Sequence, residues 1–440
     1  MTHQHQLHLG VLIYGCGHHQ AAWQLPNSSI ERIGDIQYYQ ELAQLSEKGL
    51  LDVVFFADNQ SFIPSYTSMP SFWFDPLINL TAISQVTQHV GLVPTISSTF
   101  SNPFTAARQL LSLDHISGGR VGWNLVTSMT DAEAQNHSMD HLPNHDERYK
   151  KAEEFAQVMN GLFDSWHTED FKPNRHHHTM INRNIKPLHH NGKYFQVHGP
   201  LTTPSSIQGK PVAMQAGASK QGIALATKYA DAVYSVSWNM KQAKRYRERL
   251  DSEMAQRDHQ RYIKVFPGLV TYVGHTHEEA LKKKAELDQR LPINAALKQL
   301  SFFIQQDCSQ WELDAPVPKL PSLEEFNGPV GRYETILEII QDKQPTVREL
   351  LSYLNAGGGH LTLIGTPKEI VDEMERWFNA GVADGFNLMP PSLPDSLDDV
   401  VTLIVPELQR RGLYRHQYKG STLREHLDLI YCLIYFIQTI

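Results

Sequence analysis

The 440-residue chain predicts an α/β fold, a closed (β/α)8 TIM barrel with insertions. Three observations lead there. Short apolar runs alternate with helix-period runs about eight times. Most of those apolar runs lead at once into polar residues. No solenoid-like repeat is present, and no GxGxxG follows a strand, which removes support for an open doubly wound dinucleotide-binding sheet. Residues 1–440 read as one such domain, with excursions at about 166–208 and 292–358.

Residues 9–13 (LGVLI) are the first predicted strand. The pattern from 35 to 48 is an amphipathic helix, and Gly49 is placed to stop it. Residues 52–56 (DVVFF) are a continuous run suited to a strand buried on both faces. Asp75 and Pro76 open a helix through Gln88, a cap followed by proline at the first helical position. Residues 91–96 are the third strand and 102–115 the next helix. A Ser-Gly-Gly stop then leads into the fourth strand, 120–124, which delivers Asn124, Thr127 and Ser128 to its C-terminal tip. Residues 146–165 are helical, with Phe155, Val158, Met159, Leu162 and Phe163 at helical spacing.

The first excursion is rich in His, Asn, Pro and Lys and has room for hairpins. Alternation resumes with strands at 211–215, 232–235 and 264–273 and helices at 219–229, 239–257 and 276–290. After the second excursion, Pro367 opens a helix to Asn379. Residues 385–388 are the last strand and 397–411 the last helix.

Composition narrows the function. Apolar residues make up 41 % and charged residues 20 %, which suits a large packed core and not a disordered chain. A formal net charge of −8 argues against nucleic acid as partner. Cys16, Cys308 and Cys432 are few, odd in number and far apart, which fits a reducing, cytoplasmic setting and no disulfide framework. No CxxC supports a thiolate zinc site. The N-terminus is polar and His-rich, without a secretory pattern. The apolar run 427–440 is too short to span a bilayer and reads as a buried or interface-docked segment, with membrane contact as the minor alternative.

In a parallel barrel the residues after each strand converge on one mouth, where ligands bind. Here they are His18 and His19, then Asp58 and Asn59, then Thr95, Ser97 and Ser98, then Asn124, Thr127 and Ser128, then Gly217, Ala218 and Ser219. The small-residue turn at 215–219 lets backbone amides approach an anion at a helix N-terminus. Ser219 either bonds a phosphate there or is a plain helix cap. His145 and Tyr149, four apart, share a helical face and either contact a ligand or face solvent. The runs His176–His178 and His189–His190 read as surface loop in preference to metal ligands, because no HExxH-type helix supports them. No GxSxG elbow is present, so nucleophilic hydrolysis lacks support.

Taken together, several segments resemble the flavin-dependent monooxygenases of the bacterial luciferase-like superfamily, in the group acting on nitrilotriacetate, EDTA and dibenzothiophene sulfone. They are Gly17-His18-His19-Gln20-Ala21-Ala22-Trp23, Phe55-Phe56-Ala57-Asp58, the stretch 114–128, the stretch 145–149, Gly192-Lys193-Tyr194-Phe195, Gly199-Pro200-Leu201, Gln215-Ala216-Gly217, and the stretches 383–389 and 405–413. The resemblance implies a TIM barrel that binds reduced FMN (FMNH2), supplied by a separate NAD(P)H:FMN reductase. It implies O2 chemistry through a C4a-peroxyflavin that oxygenates a small organic substrate, with C–N or C–S bond cleavage. By matching motif it assigns Asp58, Thr95, Ser97, Asn124, His145, Tyr149, Gly217, Ala218 and Ser219 to the cofactor. His19 is the candidate for stabilising the intermediate or touching substrate, and Trp23 and His18 lie near the flavin. A homo-oligomer, dimer or tetramer, is expected, with no metal. The alternatives are an F420-dependent dehydrogenase of the same superfamily and a non-catalytic flavin-binding protein. Ala218 stands where relatives often carry a serine, which shifts phosphate binding toward backbone amides. Arg175, Arg183 and Lys186 in the first excursion either attract a carboxylated substrate or are solvated loop.

Overall fold

A computed structural model describes residues 6–62, 73–177, 179–181, 185–257, 262–326 and 330–429. Eight parallel strands close a barrel: β1 (His8–Leu12), β2 (Val53–Phe56), β3 (Gly91–Ser97), β4 (Gly122–Val126), β5 (Val212–Gln215), β6 (Ala232–Ser235), β7 (Lys264–Val273) and β8 (Gly385–Leu388). Each pairs with the next in chain order, and β8 returns to β1 with His8 opposite Gly385. The expected strands are all present.

One strand is not anticipated in the sequence. β7 is ten residues long and outruns its barrel neighbours. Its Leu269–Val273 half carries an added parallel strand, Leu361–Gly365. It is a short apolar run between Gly357-Gly358-Gly359 and the Thr366-Pro367 start of the next helix, beyond the eight strands of the barrel.

The barrel interior has an apolar lower part and a polar rim. Val53, Phe55, Val93, Val212, Met214, Ala232 and Phe266 pack inside, and Tyr234 stacks on Phe55 at 4.7 Å between ring centroids. Leu423 and Leu427, in and just after the short helix Leu423–His426, join this cluster; a Cβ at Gly91 or Gly122, at the N-terminal ends of β3 and β4, would meet Leu423. That accounts for the start of the apolar C-terminal run. Its remainder, with Cys432, lies outside the described residues, as do His178 and Arg183. Residues on the other strand face, Trp123 and Phe386 among them, pack with the surrounding helices.

Two expected boundaries move. The helix opened by Pro76 stops at Ser84, short of Gln88. The buried Arg120 guanidinium donates to the carbonyls of Ser84, Thr87 and Val90, and the Glu47 carboxylate accepts from the amides of Gln88, His89 and Val90. Those partners satisfy the backbone without further helix. The same role takes Arg120 out of β4, which begins at Gly122 instead. The last helix is also divided: a π-helical turn, Val400–Ile404, precedes Pro406, which has no N–H to give.

The first excursion forms two small hairpins, Phe171–Asn174 with Thr179–Ile181 and His190–Asn191 with Gln196–Val197. The second folds into helices Ile293–Ile304, Val330–Lys343 and Val347–Leu354. They share an apolar cluster with Leu297, Leu300, Tyr333, Ile336, Leu350 and Leu354 at its centre. Ala21, from the loop after β1, belongs to it too, so this excursion packs over the barrel mouth.

Candidate active site

Alternation along the strands sets which residues face inward. Val93 is inside, so Thr95 and Ser97 share its face; Gly122 is inside, so Asn124 follows. The register puts Thr95 opposite Asn124. Asn124 Nδ2 donates to Thr95 Oγ1 at 3.0 Å, and its Oδ1 is buried with no partner. One layer higher, the hydroxyls of Ser97 and Ser128 lie 2.8 Å apart.

Asp58 follows β2, and its carboxylate accepts from Gln60 Nε2 at 3.0 Å. Burial pushes its pKa up, and Asp75 and Glu133 add to that. Gln60 also accepts through its carbonyl from Asn136, which ties the β2 loop to the segment after β4.

The β5 turn meets the start of the long helix His145–Phe163. Gln221 Nε2 donates to Asp146 Oδ1 at 3.0 Å, so two helix N-termini stand side by side. His145 and Tyr149 lie on that helix with ring centroids 4.7 Å apart. Ser219 Oγ accepts from the Gly222 amide at 3.0 Å and so caps the helix Lys220–Tyr229. The first-turn amides of such a helix have no intrahelical acceptor and keep their anion-binding capacity. Gly217 is required by close approach: a Cβ there would meet Gly222 Cα at 3.1 Å. Its carbonyl accepts from Tyr246 Oη at 3.3 Å.

His18 and His19 sit on the β1 loop with different surroundings. His19 is fully buried, accepts at Nδ1 from the Ala21 amide at 3.1 Å, and therefore carries its proton on Nε2, which donates to Asp288 at 3.0 Å. Both ring nitrogens are engaged. His18 donates from Nε2 to the Leu12 carbonyl at 3.1 Å and stacks on Tyr14. Burial pushes its pKa down to about 4, so it is neutral at pH 7.

Residues beyond the sequence expectation complete the rim. Ser237 Oγ, Trp238 Nε1 and His360 Nδ1 are buried without partners; Gln215 Oε1, also unpartnered, is on the outer face of β5 with Ala213, toward the helices. Ser237 and Trp238 follow β6, whose polar sequel Ser-Val-Ser-Trp-Asn is the same strand-tip signal that marks β2 through β5. Arg332 comes from the second excursion and His360 from just after it, ahead of the strand Leu361–Gly365, so neither follows a strand tip. The His-rich run of the first excursion behaves as surface: His176 and His177 are exposed, and His190 bonds Glu154. Arg175 and Lys186 are exposed as well.

A family model described as luciferase-like monooxygenase matches residues 12–384. The chain belongs to that family. It is 37 % identical over 428 residues to N-acetyl-S-(2-succino)cysteine monooxygenase of Bacillus subtilis (strain 168), covering 96 % of this chain and 97 % of the relative. It is 37 % identical over 442 residues to nitrilotriacetate monooxygenase component A of Aminobacter aminovorans, covering 96 % of each. The solved EDTA monooxygenase from Chelativorans sp. BNC1 superimposes with a TM-score of 0.79 at 31 % identity, over 96 % of this chain and 98 % of that one. The chain is thus a two-component flavin-dependent monooxygenase, and the F420 dehydrogenase alternative falls away. Its cofactor class is reduced flavin, delivered by a separate flavin reductase. Among the described residues no helix is long and apolar enough to cross a membrane.

Proposed function

We propose that the barrel mouth binds FMN in its reduced form and that the enzyme oxygenates a small carboxylated amine or thioether, cleaving a C–N or C–S bond. The observation that carries the flavin reading is the Thr95–Asn124 pair. A buried acceptor without a partner costs stability unless a ligand donor reaches it. The isoalloxazine ring, flat and edged with donors and acceptors, suits a barrel whose interior is apolar below and polar at the rim.

In this reading Asn124, Thr95 and Ser97 hold the ring edge, and Asp58 contacts its polar side chain. His145 and Tyr149 flank it. The Gly217–Ala218–Ser219 turn receives the phosphate through backbone amides, while Ser219 Oγ keeps the helix capped. When bound, reduced flavin supplies the oxygen activation; the protein orients the substrate and excludes water. His19 holds the β1 loop through Asp288 and so positions His18 and Trp23. We assign the work to a cytoplasmic homo-oligomer served by an NAD(P)H:FMN reductase.

A reductase-coupled assay with FMN and NADH, run on carboxylated amines and thioethers, tests the proposal. Substrate-dependent oxygen incorporation is expected. Flavin binding with no oxidation of any compound would leave a non-catalytic flavin protein as the better account. Asp58→Ala combined with Ser219→Ala is expected to lower FMN affinity clearly, and unchanged affinity would mean the site lies elsewhere.

A further inference from the structure

We propose that Arg332, with His18 and His360 beside it, binds a carboxylate of the substrate at the barrel mouth. The proposal deepens the oxygenase reading above and rests on it for the fate of the bound molecule.

Arg332 lies in the first turn of Val330–Lys343, the excursion helix that crosses the mouth. One end of that crossing is the β5 turn: a Cβ on Gly331 would lie 3.5 Å from Ala218 Cβ. The guanidinium reaches the other way. Its Nη1 donates to the carbonyl of Gly357 at 2.5 Å and to that of Gly358. Gly357 in turn abuts Met389, the residue after β8: a Cβ there would meet Met389 Cε at 3.1 Å. The charge is therefore held on the β7–β8–β1 side of the mouth, away from the turn proposed for the flavin phosphate.

No described carboxylate pairs with Arg332. The Phe303 ring lies 5.7 Å from the guanidinium carbon, and His360 approaches the same glycine corner, where a Cβ on Gly357 would lie 3.6 Å from its Cδ2; the Arg332 charge is felt by both His360 and His18. Several cations on and around this excursion are paired, among them Arg245 with Glu338, Arg348 with Asp314 and Lys284 with Asp288. Asp288 is the acid that serves the β1 loop, and it is already taken by His19, Lys284, Ser352 and Asn355. Among the described residues this half-buried guanidinium faces carbonyls, a ring and neutral imidazoles, and so is an unbalanced charge. Its planar fork matches a carboxylate. Burial keeps both histidines neutral, so neither adds charge; His18 spends its one ring proton on the Leu12 carbonyl, which leaves His360, whose ring makes no hydrogen bond among the described residues, as the donor. His360 Nδ1 is buried without a partner against Gly268 of β7, which leaves Nε2 as the ring nitrogen to meet the second carboxylate oxygen.

The test measures equilibrium binding to the FMN-loaded chain by calorimetry. The probes are N-acetyl-S-(2-succino)cysteine, nitrilotriacetate and the methyl esters of both. The wild type is expected to bind an acid at least about tenfold more tightly than its ester. Arg332→Gln is expected to abolish that preference, Arg332→Lys to restore part of it, and FMN affinity to stay within about twofold. Equal binding of acid and ester by the wild type, or no binding of either acid, overturns the proposal without need of a variant. So does an Arg332→Gln protein that loses affinity for FMN but not for riboflavin, which would assign the charge to the flavin phosphate. Oxygen turnover is scored separately: acid preference without turnover refutes the oxygenase reading and leaves the carboxylate site standing.

Discussion

Asn124 donates to Thr95 Oγ1 across the β3–β4 pair, and in doing so leaves its own Oδ1 buried and unanswered. A side chain placed only for packing would be apolar here, as Val93 is one layer below. The pair orients an acceptor in advance, which removes an ordering cost at binding.

Asn124→Leu separates binding from stability. Removing an unsatisfied acceptor spares its desolvation cost, so the ligand-free protein is expected to keep its Tm within about 2 °C. One lost ligand hydrogen bond of about 1–1.5 kcal/mol corresponds to roughly tenfold weaker flavin affinity. Fluorescence titration with FMN and a thermal melt check the two halves.

Ser219 has a structural duty that can be isolated. As cap of Lys220–Tyr229 it satisfies the Gly222 amide. Ser219→Ala is expected to cost about 1 kcal/mol in denaturant unfolding, and Ser219→Gly only a few tenths. A flavin-affinity loss that tracks the cap energy in both variants would show that Ser219 acts on flavin through the helix start.

Stability is expected to fall on acidification from about pH 6.5 toward pH 4. Burial depresses His18 to about 4 and lowers His8, His19 and His360 as well. In that window the unfolded chain takes up protons that the folded chain refuses, so stability rises with pH through it and is complete above the unfolded value near 6.5. Unfolding midpoints across pH 4–8 test this. A flat profile would mean the imidazoles are reachable by water.

At the base of the barrel Asp52 is held between Arg415 and His8, and the Arg415 charge keeps its carboxyl well below the usual range. Arg415→Met strands a buried carboxylate and is expected to cost about 3–5 kcal/mol. Asp52→Asn in the same background should recover part of the loss, which chemical denaturation of the single and double variants measures.

The barrel strands were legible because each is a short apolar run between turn signals, and local pattern carries that information. So were the rim residues of β2 through β5, since a polar residue directly after such a run marks a strand tip. The strand Leu361–Gly365 carries the same local signal, an apolar run between Gly359 and the Thr366-Pro367 helix start, but its place beside the overlong β7 is not local information. Nor is the end of the Pro76 helix, set by Arg120 and Glu47 from distant segments.

By itself, then, the amino-acid order determined the alternating barrel, the wall on which Asn124, Thr95 and Ser219 stand, and the family resemblance. Only the tertiary structure decided which hydroxyls and imidazoles are already spoken for: Ser219 by its own helix, His19 by Asp288 and the Ala21 amide. Only it brought Arg332, from an excursion more than three hundred residues after His18, over the same mouth, with no carboxylate among the described residues to balance it. Strand and helix periods are local properties of the chain, whereas the pairing of a charge or a ring nitrogen depends on which distant groups the closed barrel brings within bonding distance.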